Sequence, residues 1–299
     1  MGQTPRYTKS TASRICEAIK ADFDAWRVRD LSELDLDYMC CDGSCFKMHP
    51  TSPRAEPLLC AWAITTDNEK ALLGLAPGSS ESYDAWLDFF RDPKERGLKP
   101  PLLGITDGAP GMLRAFEEVL DQSLRQRCLV HKSRNLVAKV PKEAESEVKG
   151  AFWSIFDGIE ADPGEAAIVE ARARACDFQR TYGKLYPSAV ECVMKDLPEL
   201  TVHLRFPRQH WERIRHTNLL ERTFGESRRR VKVIGRLPGE RSCISLVWAV
   251  LDRASKGWRG LTQTPAGIRL LQNLRAQLLN PPDMEEVMEE IQETVTTAA

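Results

Sequence analysis

Two short apolar runs in this chain each lead directly into an aspartate that is followed by glycine. Leu36–Cys41 precedes Asp42, and Leu102–Thr106 precedes Asp107, after which Pro110 opens a stretch with helical spacing. A buried strand that ends in an aspartate places the carboxylate at the carboxyl end of a sheet strand, the edge where open α/β sheets bind ligands. The chain is therefore predicted to be an α/β protein with these carboxylates at the functional edge of its sheet.

A third acidic residue, Glu221, lies in a segment with helical character. If folding brings Asp42, Asp107 and Glu221 together, their oxygens can hold two Mg²⁺ or Mn²⁺ ions, about 3.5–4 Å apart, across a scissile phosphate. One ion would activate the attacking oxygen and the other would stabilise the leaving one. The alternative is structural, because Asp-Gly pairs are common in turns and a helical glutamate needs no function.

Further sheet and helix signals lie between the two aspartates. Cys60–Thr66 and Ala71–Ala76 are apolar runs separated by an Asp-Asn turn, so a hairpin is predicted that pairs with the Asp42 strand. A helix is predicted to follow from about Ser80, capped by Ser79 or Ser80 and ending near Gly97.

Four groups of residues occur in one order along the chain. They are Gly78, Glu81, Ser82, Trp86, Arg96 and Gly97; then Asp107, Gly108 and Gly111; then Gln126, Cys128, His131, Arg134 and Asn135; and finally Thr217, Asn218, Glu221, Arg222, Arg228, Arg229, Arg230, Leu237 and Pro238. In residue type and spacing the chain resembles, from about Ser13 to Trp258, the Mutator-like superfamily. Within it, the resemblance is to the bacterial insertion-sequence transposases with an Asp-Asp-Glu active site.

The resemblance implies an RNase H-like fold, in which a mixed sheet flanked by helices is interrupted by an all-α insertion between the second Asp and the Glu. The expected organisation is a remnant of an N-terminal helical region at 1–33, the sheet core at 34–140 and 206–275, the helical insertion at 141–205 and an acidic tail at 276–299. Helix-forming residues dominate 142–200, which suits the insertion. The second part of the core would carry the catalytic Glu and a basic helix.

The front of the chain departs from this pattern, because only 41 residues precede Asp42. Full-length relatives carry more sequence there, including a helical region that recognises the ends of the element. A helix is predicted around Ala12–Arg27 as the tail of that region. A truncated or decayed copy, a shortened reading frame and a member that delegates end recognition are all consistent with this front end.

The activity implied by the resemblance is DNA strand cleavage followed by strand transfer of an insertion sequence. Asp42, Asp107 and Glu221 would be the catalytic and metal-binding residues, with two Mg²⁺ or Mn²⁺ ions as cofactors. The partners would be the element's terminal repeats and the target DNA, bound by a homodimer. The competing interpretations are a non-catalytic DNA-binding relic and a metal-dependent nuclease that cuts without joining.

Cys128 and His131 form a Cys-x-x-His pair that admits several interpretations. It is half of a zinc site, which Cys40, Cys41, Cys45 and His49 could complete. The pair could also be buried core residues, or a thiol nucleophile with its base. The resemblance instead implies that Cys128 and His131, with Asn218, support the carboxylates or orient the substrate.

A basic stretch from Arg205 to Arg236 contains ten Lys and Arg residues against three Glu, in a chain whose net charge is −1. Charge concentrated in this way holds a polyanion such as DNA, although a solvated helix face is the simpler alternative. The residues expected to contact DNA phosphates are Arg222, Arg228, Arg229, Arg230 and Lys232.

The remaining composition indicates where such a protein would work. No apolar run reaches membrane-spanning length, and the first residues lack the apolar region of a signal peptide. Nine scattered cysteines suit a reducing compartment. The expectation is a bacterial cytoplasmic protein, associated with the nucleoid and without membrane contact.

Overall fold

Five strands form a single mixed sheet. The computed structural model describes residues 8–49, 54–78, 80–232, 239–256 and 260–279. The strands are β1 Leu36–Phe46, β2 Glu56–Thr65, β3 Lys70–Pro77, β4 Leu103–Thr106 and β5 Leu124–Arg127, in the order β3-β2-β1-β4-β5. β2 pairs antiparallel with both β1 and β3, whereas β4 pairs parallel with both β1 and β5.

Helices precede, interrupt and follow the strands. They are α1 Lys9–Arg27, α2 Tyr83–Glu95, α3 Pro110–Val119, α4 Leu129–Val137, α5 Glu145–Ser154, α6 Glu165–Tyr182, α7 Pro187–Lys195, α8 Leu197–Leu200, α9 Trp211–Ile214, α10 Asn218–Lys232, α11 Glu240–Ser255 and α12 Pro265–Leu279. The predicted α/β class is therefore confirmed. Among the described helices, none is long and apolar enough to cross a membrane.

The two faces of the sheet are covered by different helices because side chains alternate along a strand. Tyr38 and Cys40 of β1 belong to a core that includes side chains of α10 and α11. Met39 and Cys41 point the other way, into a core built with α2 and α3. By the same alternation, the side chain of Asp42 lies on the face that α10 covers, where a residue of α10 can approach it.

β1 continues through Asp42 to Phe46, so the interpretation that its strand ends at Asp42 is wrong. Antiparallel pairing with β2 holds the later residues extended, from Asp42 opposite Cys60 onward. The parallel pairing with β4, however, covers only Tyr38–Cys40. Asp42 therefore lies just beyond the parallel part of the sheet, on the same side as Asp107, which directly follows β4.

Most local predictions between the aspartates are confirmed. β2 and β3 form the expected hairpin, with Asn68 of its turn at φ 63°, and α1 agrees with the helix expected to end at Arg27. The predicted capping residue of α2, Ser79 or Ser80, was wrong. The helix begins at Tyr83, and its cap is Ser82, whose hydroxyl accepts a hydrogen bond from the Ala85 N–H at 3.3 Å. Ser79 lies outside the described residues.

All described secondary structure between β5 and α10 is helical. Phe152, Phe178 and Val193, from α5 to α7, contribute to a hydrophobic core separate from those on the two sheet faces. This core also includes Leu129 and Leu136 of α4, so the helical region and α4 share one packed interior. Residues 142–214, called the helical segment below, include most of the all-α insertion expected at 141–205, and the domain boundaries stay a prediction. Of the expected acidic tail, 280–299 lie outside the described residues.

Candidate active site

Asp42, His131 and Glu221 meet where β1, α4 and α10 come together. One ligand atom from each of the three residues lies within 4.8 Å of the others. Asp42 is 6% exposed, and Glu221 lies in the first turn of α10. Asp107 is not a member of this compact group, although its charge acts on both Asp42 and His131. Folding thus brings together two of the three expected ligands, with His131 as a third group and Asp107 nearby.

The carboxyl group of Asp42 ionises less readily than that of an ordinary aspartate. Burial, together with the charges of Asp107 and Glu221, raises the pKa of Asp42 to about 8. A hydrogen bond from the Gly43 N–H to Oδ1, at 2.9 Å, favours the charged form but is outweighed. Carboxylates gathered at buried and partly buried positions are the donor set that a hard divalent cation neutralises, so these residues fit Mg²⁺ or Mn²⁺.

Glu221 is bound by Arg134, a residue of α4. The guanidinium donates from Nη1 to Oε1 at 2.7 Å and from Nη2 to Oε2 at 3.2 Å. Burial by itself would raise the pKa of Glu221, but the hydrogen bonds and charge of Arg134 lower it overall. Arg134 belonged to the third motif group without an assigned role, so this contact is a feature of the candidate site that the sequence interpretation missed.

His131 faces the same carboxylates as a neutral ring. Burial lowers its pKa by more than the charges of Asp107 and Glu221 raise it. The 3.5 Å approach of Nε2 to Oε1 of Glu221 is therefore not an ion pair at neutral pH. Nδ1 of His131 is buried without a hydrogen-bond partner among the described residues. A neutral imidazole keeps one lone pair, which suits a cation or a proton on a substrate.

Cys128 joins three elements that carry the site. Its N–H donates to the Thr106 carbonyl at the end of β4, at 2.8 Å, directly before Asp107. Its sulfur accepts hydrogen bonds from Thr217, at 3.3 Å from the backbone N–H and 3.5 Å from the hydroxyl, at the start of α10. Cys128 itself precedes α4. It therefore fixes the mutual positions of the elements that carry Asp107, His131 and Glu221.

The zinc and nucleophile interpretations of Cys128 find no support in this geometry. Within the described ranges, no group of three candidate metal ligands contains a cysteine. Burial also raises the pKa of the Cys128 thiol, which opposes formation of the nucleophilic thiolate.

Replacing Cys128 by alanine is expected to lower the free energy of unfolding by about 1–3 kcal/mol, because the buried Thr217 N–H loses its acceptor. Cys128→Ser keeps an acceptor and should cost less. Urea denaturation measures both, with Cys176→Ala on the exposed side of α6 as the control. Equal losses for the alanine and serine variants would contradict the role of the sulfur.

A basic cavity of about 390 Å³ adjoins the site on the α10 face. Tyr38 and Cys40, four and two residues before Asp42 on the same side of β1, line it. Its remaining lining includes Asn218 and the positively charged Arg213, Arg215 and Arg222. Asn218, expected to orient substrate, thus borders a space beside Glu221.

The arginines expected to contact DNA occupy exposed positions on α10, but they differ in their surroundings. Arg228 donates to the hydroxyl of Ser44, two residues beyond Asp42 on β1. Arg229 and Arg230 bind Glu226, at 2.5 and 2.8 Å, which offsets part of their charge. The side chain of Lys232 lies outside the described part of the chain. Among the described side chains of this basic run, Arg228 is therefore hydrogen-bonded to the strand that carries Asp42.

Glu81 adds a fourth carboxylate that the sequence interpretation did not single out for chemistry. A Cβ atom on Gly43 would lie only 2.6 Å from Oε1 of Glu81, so the Glu81 carboxylate lies directly against the backbone next to Asp42. Burial, followed by the charge of Asp107, raises the pKa of Glu81. The signal available was its place in the first motif group, before Trp86.

Comparisons with known proteins point in one direction. The sequence model described as "Transposase, Mutator family" matches residues 1–260. The chain is 31% identical over 262 residues to the transposase for insertion sequence element IS6120 of Mycolicibacterium smegmatis, covering 87% of this chain and 78% of the relative. It is 34% identical over 236 residues to the transposase for insertion sequence element IST2 of Acidithiobacillus ferrooxidans, covering 76% and 77%. A similar match, 30% over 256 residues, covers 84% of this chain and 63% of the transposase for IS256 in transposon Tn4001 of Staphylococcus aureus.

Proposed function

Because this chain belongs to the Mutator family of transposases, we propose that it cleaves the DNA strands of an insertion sequence and transfers them to target DNA. Asp42, Asp107 and Glu221 hold the divalent cations that the reaction requires. The observation that carries the proposal is the meeting of Asp42, His131 and Glu221 within 4.8 Å, with the charge of Asp107 acting on the same carboxylate.

An RNase H-like core is part of the proposal. It is supported by three antiparallel strands followed by two parallel ones, with acidic residues on β1 and directly after β4. Glu221 reaches the same edge from α10, which packs on β1. The helical segment, 142–214, then corresponds to the insertion between the second Asp and the Glu.

Bound Mg²⁺ or Mn²⁺ supplies the charge stabilisation and oxygen activation of an in-line displacement at phosphorus. Within the chain, Asp42 occupies the central position, because its ionisation responds to both Asp107 and Glu221. Arg228 holds a phosphate beside β1, and Arg222 holds a neighbouring one at the rim of the basic cavity. Cleavage and joining both exchange one oxygen for another at phosphorus, so one set of residues serves both steps and no protein–DNA bond forms.

The partners follow from the reaction. Joining requires the terminal repeats of one element and the target DNA in a single complex. Two ends need two copies of the site, so we expect a homodimer on DNA.

The proposal is tested with the purified chain and a plasmid that carries its reading frame with the flanking DNA. Strand breaks and joined products that need Mg²⁺ or Mn²⁺ and disappear with a chelator are the expected result. Breaks without joined products would replace this proposal by a nuclease. DNA binding without breaks, in either cation, would replace it by a non-catalytic DNA-binding protein.

Loss of two arginines should weaken DNA binding in a salt-dependent way. For Arg222→Gln with Arg228→Gln, the slope of log K against log salt is expected to fall by about two, because each phosphate contact contributes roughly one. Fluorescence anisotropy with a labelled duplex over a salt series measures it. Arg172→Gln with Arg180→Gln, two exposed arginines of α6, removes the same charge from the helical segment. If both double variants change the slope equally, these α10 residues do not lie at the interface.

A further inference from the structure

The Arg134 guanidinium donates one hydrogen bond to each carboxylate oxygen of Glu221, at 2.7 and 3.2 Å. The planar guanidinium matches a carboxylate in this two-point geometry, and it matches a phosphate equally well. The Arg134 side chain is 58% exposed, whereas that of Glu221 is 26% exposed. The arginine therefore approaches the site from the solvent side and can leave by rotation of its own side chain.

The contact engages the oxygens that Glu221 needs for a cation. Oε1, which accepts from Nη1 of Arg134, is also the oxygen 3.5 Å from Nε2 of His131, and His131 and Glu221 both belong to the group of candidate ligands. A divalent cation and a guanidinium cannot both use the same lone pairs fully. Arg134 and the cation consequently compete for Glu221.

Glu221 does not depend on Arg134 for its placement. The start of α10 is fixed to the start of α4 by the hydrogen bonds between Thr217 and Cys128. The N–H of Leu129, the first residue of α4, also donates to the carbonyl of Arg215 at 2.9 Å. None of these contacts involves the Arg134 side chain, so they would persist if it moved away.

We propose that Arg134 is a positioning residue that changes partners, from Glu221 in the cation-free protein to a DNA phosphate once a cation is bound. The inference rests on the proposed function, since it assigns Glu221 to the cation. Cation binding releases the guanidinium, and the released group adds a two-point phosphate contact beside the reacting strand. Metal loading and DNA binding are thereby coupled through one side chain.

The test compares Mn²⁺ binding by DNA-free wild-type, Arg134→Ala and Arg134→Lys proteins, using the electron paramagnetic resonance signal of free Mn²⁺. Arg134→Ala is expected to bind Mn²⁺ more tightly by about three- to tenfold, the range for loss of one partly exposed, charge-assisted pair. Arg134→Lys keeps the charge without the fork and should fall between the two. Arg172→Ala, which removes an exposed arginine paired with Glu165, is expected to leave the affinity unchanged.

A second measurement examines the DNA phosphate, the other proposed partner of Arg134. With Ca²⁺ as the divalent cation, Arg134→Ala is expected to bind a labelled duplex from the flanking DNA more weakly than wild type. Its salt slope should also be lower by about one, as for a single lost phosphate contact.

The outcomes separate this inference from the proposed function. If Arg134 had only a structural role, its removal would lower the Mn²⁺ affinity. Reduced or unchanged affinity in Arg134→Ala therefore contradicts the proposed exchange of partners but not the metal site. An unchanged salt slope also contradicts the exchange. If neither wild type nor variant binds Mn²⁺, the metal site itself fails, and the inference fails with it.

Discussion

Replacement of Asp42 by asparagine is expected to abolish DNA strand cleavage while stabilising the cation-free protein. The activity is expected to fall because the proposed central cation ligand is lost, and a loss of several kcal/mol in transition-state stabilisation corresponds to at least about a thousandfold in rate. The stability rises because a carboxylate whose pKa is raised to about 8 is replaced by a neutral amide of similar shape. Residues that lower the stability of the fold are typical of functional sites.

The stability gain should depend on pH. The pKa of Asp42 is higher in the folded chain than its ordinary value of 3.8, so protonated Asp42 stabilises the fold below about pH 4, and this contribution is lost as the pH rises to 8. Each pKa unit corresponds to about 1.4 kcal/mol. The advantage of Asp42→Asn over wild type is therefore expected to be small at pH 4 and several kcal/mol at pH 8.5. Urea denaturation in a chelator at both values measures it.

Asp37→Asn is the matched control for activity. Asp37 lies on the same strand and is 4% exposed, but it pairs with Arg275 at 2.9 Å instead of facing the acidic group. This variant should keep cleavage, whereas Asp107→Asn and Glu221→Gln should lose it as Asp42→Asn does. Retained cleavage in Asp42→Asn or Asp107→Asn, or a loss of stability at pH 8.5 in Asp42→Asn, would contradict the assignment.

The sequence predicted best what short-range physics controls. The run into Asp107 became β4 and α3 as expected, because its strand is mainly apolar and buried throughout, and Pro110 suits the first position of a helix. The family resemblance is confirmed by the match over residues 1–260. β1 was cut short in the prediction because Gly43 and Ser44 are weak strand formers, and only their pairing with Leu59 and Leu58 extends the strand.

Long-range pairing explains what could not be predicted. β5 carries mainly polar residues, and Gln126 is fully buried there because its side chain donates to the Leu200 carbonyl and accepts the His203 N–H, at 3.1 and 2.7 Å. The pair of Arg134 and Glu221 spans 87 positions and depends on how α4 meets α10. No local pattern encodes either contact. The role of Asp42, Asp107 and Glu221 as metal ligands stays a prediction, carried by residues that the fold brings near one another.

A buried charged cluster attaches the helical segment to the elements beneath the site. Asp196, between α7 and α8, forms ion pairs with Arg127 of β5 and Lys132 of α4. The side chains of Lys132, Arg127 and Asp196 are 3%, 14% and 16% exposed. Lys132 also donates to the Cys192 carbonyl at 2.6 Å. Two positive charges thus depend on one carboxylate from the helical segment.

Asp196→Ala is accordingly expected to lower the free energy of unfolding by about 3–5 kcal/mol, because it leaves buried positive charge without a partner. Urea denaturation measures the loss, and Asp177→Ala, which removes the exposed partner of Arg180, should cost less than about 1 kcal/mol. Adding Lys132→Met to Asp196→Ala should recover part of this loss, since it removes the Lys132 charge that Asp196→Ala leaves without its partner. A loss as small as that of Asp177→Ala, or no recovery in the double variant, would show that packing and not charge holds the helical segment. Since α4 also carries His131 and Arg134, cleavage by Asp196→Ala is expected to fall even under conditions where the variant remains folded.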